Sequence, residues 1–148
     1  MNWTYIKNTG LQSDNSHIKL TFGSDRQSLR TLLDYDPDKN KGRFDTEDSY
    51  GNSLPDNWFR LHFEDNKLFE IELLGGTVMV DNVPIKIDDD LKRTLTRLIQ
   101  KGFVFNKGDY SYTDFFNLID IGDSEENGGE PNQIRWFYTA SNFDHMRD

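Results

Sequence analysis

A chain of 148 residues without cysteine has the size of one domain, and it can build neither a disulfide framework nor a thiolate metal or nucleophile site. Hydrophobic residues are only 34% of the chain, but 11 Phe, 6 Tyr and 3 Trp supply the buried area that a disordered chain lacks. A net charge of -9 excludes a nucleic-acid surface built on a basic stripe, and no apolar run reaches the eighteen or so residues that span a bilayer.

The opening MNWTYIKNTG lacks the charged-then-apolar pattern of a signal peptide, so a soluble, cytoplasmic protein is expected. HIKLTF (17–22) turns Ile18, Leu20 and Phe22 to one side and predicts a strand. In GSDRQSLRTLLDY, Ser24 stands three residues before Gln27, the spacing of a capping box, and Leu29, Leu32 and Leu33 give the following helix one apolar edge.

Asp36 to Glu47, DPDKNKGRFDTE, resembles a calcium loop, with oxygen side chains at positions 1, 3 and 5 and a glutamate at 12. Position 6, where such loops need glycine, is Lys41, and position 8 is Arg43. No exiting helix follows, because SYGNSLPDN is rich in turn residues. The segment is therefore expected to be a solvated acidic connection with no metal.

WFRLHFEDNKLFEIELL (58–74) predicts two strands around a turn. A two-residue Asp65-Asn66 loop would set Leu61 against Glu70 and mix the faces. A three-residue loop ending at Lys67 pairs Phe63 with Phe69, Leu61 with Ile71 and Phe59 with Leu73, so one face is wholly apolar. It also sets Arg60 opposite Glu72 and His62 opposite Glu70, complementary cross-strand pairs. TVMV and VPIKI around Asp81-Asn82 predict a further hairpin, with Pro84 placing the second arm at an edge.

DDDLKRTLTRLIQKG is the clearest helix, with three aspartates at its positive end, Gly102 past its C-terminus and a stripe of Leu91, Leu95, Leu98 and Ile99. YTDFFNLIDI and QIRWFYTAS predict two more strands around an acidic loop at 122–132. The fold class expected is α+β: one domain over residues 1–148, a mostly antiparallel sheet with at least two helices packed on it.

Little here points to catalysis. His17, His62 and His145 have no ligand spacing, and neither a nucleophile elbow nor a phosphate-binding glycine loop occurs. His62 with Glu64, Glu70 and Glu72 is the one candidate acid/base group, and a cross-strand ion pair accounts for it more simply. No catalytic residue and no cofactor is expected.

Two surfaces remain. Trp58, Arg60, Glu70 and Glu72 share the face of the hairpin opposite its apolar side, a composition typical of binding hot spots. The 120–130 segment carries Asp120, Asp123, Glu125, Glu126 and Glu130 without a base, flanked by Trp136, Phe137 and Tyr138.

IKLTFGSDRQSLRTLL, then LHFEDNKLFEIELLGGTVMVDNVPI, then DDDLKRTLTRLIQKG and an aromatic C-terminal strand resemble, in element order, small bacterial immunity proteins that guard against polymorphic toxins and contact-dependent growth inhibition. The likeness spans residues 17–140 and includes no diagnostic motif. It implies a cytoplasmic, non-catalytic protein that neutralises a cognate toxin domain, often a basic nuclease, with no nucleic-acid or membrane partner. The clustered negative charge suits such a partner. On that basis Asp120, Asp123, Glu125, Glu126, Trp58, Arg60, Glu70 and Glu72 are the candidate toxin-binding residues. The alternatives are a small hydrolase, a calcium-dependent module, or a structural or interaction protein.

Overall fold

A computed structural model describes residues 1–15, 17–52 and 56–146, without the side chains of Glu126 and Asn127. Strands β1 (Asn2–Ile6), β2 (Gly10–Ser13) and β3 (Lys19–Thr21) come first, followed by helix α1 (Arg26–Leu32), then β4 (Glu47–Tyr50), β5 (Phe59–Glu64) and β6 (Lys67–Leu73). After them run β7 (Thr77–Val80), β8 (Val83–Lys86), helix α2 (Leu91–Gln100), β9 (Asn106–Lys107), β10 (Ser111–Asp114), β11 (Ile119–Asp123) and β12 (Ile134–Ala140).

These strands form two sheets, ordered β3-β2-β1-β7-β8 and β4-β5-β6-β12-β11-β10-β9. Every pairing is antiparallel except that of β1 with β7. The α+β class stands, but the sheet expected to be single is two, packed face to face. Trp3 meets Phe59 edge-on at 5.4 Å and Tyr5 meets Phe137 at 5.8 Å, so aromatic edges of β1 interlock with the larger sheet. Each helix joins edge strands of different sheets: α1 connects β3 to β4, and α2 connects β8 to β9.

Leu61, Ile71, Leu20, Ile85, Leu98, Ile119 and Phe137 are fully buried in the shared core. Along α2, Leu91, Leu95 and Leu98 turn inward with Thr94, whereas Ile99 is 55% exposed and lies off the stripe assigned to it. Asp90 caps α2 by accepting from the Arg93 N–H at 2.9 Å, and Gly102 takes φ 101 just past its end. At α1 the cap is Asp25, which accepts from the Gln27 and Ser28 N–H groups, and not Ser24. The backbone of Ser24 is already committed, its carbonyl accepting from Leu68 N–H at 2.9 Å, so the cap falls one residue later.

In the β5–β6 hairpin Phe59 pairs with Leu73, Arg60 with Glu72, Leu61 with Ile71 and His62 with Glu70, as the apolar pattern requires. The loop differs. Asp65 and Asn66 both take positive φ (50° and 61°) in a two-residue turn, Phe63 pairs with Leu68, and a bulge leaves Phe69 as the extra residue. One added residue lets the preferred tight turn and the apolar register coexist.

The 36–47 segment is not a solvated connection at its C-terminal end. Glu47 and Asp48 enter β4 and are 5% and 0% exposed. Asp48 accepts from Arg26 Nη2 at 2.6 Å and from Arg30 Nε and Nη2 at 2.9 and 2.7 Å, which ties α1 to the sheet edge. Burial alone would raise the Asp48 carboxyl, but the hydrogen bonds from Arg30 and Arg26 outweigh it and hold it below the usual range.

Candidate functional site

The larger sheet turns its apolar face to the core, and strand alternation sends the other residues outward. Ladder pairings carry one outward row across all seven strands: Ser49, Arg60, Glu72, Tyr138, Asp120, Thr113 and Asn106. A second row runs Glu47, His62, Glu70, Ala140, and a third sets Trp136 against Gly122. The hairpin face and the first residue of the acidic segment, separate candidates in the sequence, are thus one surface. The pairing of β6 with β12 joins them.

Within that surface Arg60 Nη1 donates to Glu72 Oε1 at 3.0 Å, and its guanidinium lies 4.8 Å from the Trp58 ring. Arg135 reaches the same ring at 5.9 Å, and Trp58 Nε1 donates to Ser49 Oγ at 3.3 Å. Trp58 is half-buried, flanked by the two guanidiniums. Tyr138 Oη lies 2.9 Å from His145 Nε2, which is 3.4 Å from Glu70 Oε1. Burial, and after it the charge of Glu70, raise the Tyr138 hydroxyl far above its ordinary value, so it keeps its proton.

Asp120 is 5% exposed, so it does not present a solvated charge. Thr113 Oγ1 and Trp136 Nε1 donate to its two oxygens at 2.6 and 3.0 Å. The Trp136 indole lies against Gly122, where any Cβ would collide with the ring, so this glycine and Asp120 together fix the indole on the sheet. Asp123 caps a short 3-10 turn, Ser124–Asn127, by accepting from Glu125 N–H at 3.0 Å. Glu125 is exposed at that end of β11, whereas the Glu126 side chain lies outside the described residues.

Beside the hairpin rows, Arg43, Phe44, Glu47, Arg60, His62, Glu70 and Glu72 line a cleft of about 180 Å³. Glu47 is gripped by Arg43 through Nη2 at 2.6 Å, Nε and the backbone N–H. Those bonds outweigh burial and lower the Glu47 carboxyl, whereas at Glu72 burial wins over Arg60 and raises it. The residue at position 12 of the calcium-like loop is therefore already taken by the arginine at position 8. No local pattern marked that pair, because i, i+4 spacing brings side chains together on a helix and residues 43–47 are not helical. His145 had no local signal either, because its contacts with Tyr138 and Glu70 depend on the chain's last turn folding back. Among the described residues no group of three or more His, Asp or Glu is placed to hold a metal ion, and no helix is long and apolar enough to cross a membrane.

With Arg43–Glu47 and Arg60–Glu72 paired, Glu64, Glu70 and Asp120 are the face's carboxylates without an Arg or Lys ion-pair partner among the described residues. Comparison with protein-family models, curated proteins and solved structures finds no match.

Proposed function

We propose that this chain is a non-catalytic immunity protein that docks a basic toxin domain on the outer face of its seven-stranded sheet, in the cytoplasm where such a toxin acts. The observation that carries the reading is the ladder Arg60, Glu72, Tyr138, Asp120, with Trp58 and Trp136 beside it on one half-buried face. Tryptophan, tyrosine and arginine are the residues on which binding energy concentrates, and here strand pairing and stacking hold them in place before any partner arrives. The exposed Glu125 and Glu130 adjoin one end of that face, and the net charge of -9 favours a cationic partner and fast association.

A small hydrolase has one observation in its favour: Glu47 and Glu72 share a cleft and are shifted in opposite directions. Each already faces an arginine, an arrangement that favours docking over proton transfer. The test is co-expression with the product of the gene directly upstream. That product alone should arrest growth, and this chain should restore it while forming a stoichiometric complex. Growth arrest that persists beside well-expressed, folded chain would overturn the reading.

A further inference from the structure

The turn between β10 and β11 is held far more firmly than a connection requires. Asp114, 2% exposed, accepts from the backbone N–H groups of Phe116 and Asn117 at 3.0 and 2.8 Å, from Asn117 Nδ2 at 2.9 Å, and from Val104 N–H at 2.9 Å. Tyr5 Oη donates to the Asn117 carbonyl from the other sheet, and Thr139 Oγ1 donates to the Leu118 carbonyl at 2.7 Å. Leu118 is kept at φ 58, a left-handed conformation that a leucine rarely adopts. Strain over-determined in this way recurs at binding sites.

The same turn carries Phe116, 77% exposed, with Lys7 Nζ 3.4 Å above its ring. Beside it opens a pocket of about 360 Å³ that spans both sheets, within the size range of small-ligand sites. Tyr5, Val80, Phe103 and Phe116 supply apolar wall, and Lys7, Lys101 and Asp81 supply charge. Ile6, Ile99 and Val104, exposed by 42%, 55% and 71%, stand within two residues of its lining. With Phe116 they make four of the seven exposed large hydrophobics among the described residues, all close in sequence to residues that line the pocket. Neither lysine is in an ion pair among the described residues, so the pocket carries a formal +1 in a molecule of -9. The end of α2 points negative carbonyls toward this region, but those of Leu98 and Ile99 already accept from Lys101, Gly102 and Phe103 N–H groups.

We propose that this pocket binds a small aromatic monocarboxylate, its ring against Phe116 and Phe103 and its carboxylate toward Lys7 and Lys101. The inference is independent of toxin binding. The test is a titration of the isotope-labelled chain with 3-phenylpropionate, read by amide NMR, with 3-phenylpropylamine as the matched cation. Saturable shifts are expected at Lys7, Gly102, Phe116 and Asn117 by about 10 mM, a concentration that fills nine-tenths of a site with a Kd near 1 mM. Lys7→Gln with Lys101→Gln should weaken binding about tenfold, as loss of a charge-assisted contact does, and Phe116→Ala should weaken it comparably. The same spectra report whether each variant is folded. No saturable shift, or an amine that binds as well as the acid, would overturn the proposal.

Discussion

Asp48→Ala is expected to destabilise the fold by about 3 kcal/mol, the lower end of the range for removing one partner of a buried ion pair. The carboxylate is fully enclosed, and its loss strands two guanidiniums. These retain 15% and 26% side-chain exposure, so water recovers part of the cost. In a domain of this size the change lowers Tm by about 6–12 °C. Replacing Asp48, Arg26 and Arg30 together by leucine and two methionines should recover most of the loss, because no charge then remains unpaired. Thermal melts of the single and triple variants check both statements. Acid acts through the same group. The folded carboxyl is held below its unfolded value of about 3.9, so its contribution is complete above that pH and is lost as pH falls further. The pH dependence of Tm below about 4 should be shallower in the triple variant than in the native chain.

Leu61→Ala and Ile71→Ala should each cost about 2–5 kcal/mol, since both side chains are fully buried and face each other across β5 and β6. Arg60→Ala, one residue away on the opposite face, should cost about 1–2 kcal/mol through the half-buried Glu72 it leaves unpaired. Denaturant melts of the three variants settle the order. A larger loss at Arg60 than at Leu61 would mean that the faces are reversed.

The register of this hairpin was legible because alternation over many residues admits one arrangement with a dry face. The bulge at Phe69 was not. Turn chemistry favoured two residues and the core favoured three, and only an inserted residue satisfies both. Strand β4 was hidden for a different reason. Glu47 and Asp48 have the composition of an exposed loop, and what buries them is a set of arginines, two of them on a helix well upstream. The N-terminal strands alternate Trp3 and Tyr5 inward, a pattern too short to stand out before its partner sheet is known. The candidate face illustrates the general limit. Its residues were named from local composition, but the contact that fuses them is a pairing between β6 and β12 that no local pattern encodes.

The most direct test of the docking face is the binding kinetics of the upstream gene's product, at low and high salt, against three folded variants: Trp58→Ala, Glu70→Arg, and the triple amide of Asp123, Glu125 and Glu126. Docking on the sheet face predicts that Trp58→Ala speeds dissociation about tenfold or more and that Glu70→Arg does so too. The triple amide should instead slow association and flatten its salt dependence, because the charge of this acidic segment acts by steering. Unchanged dissociation in both Trp58→Ala and Glu70→Arg would contradict the assignment of this face.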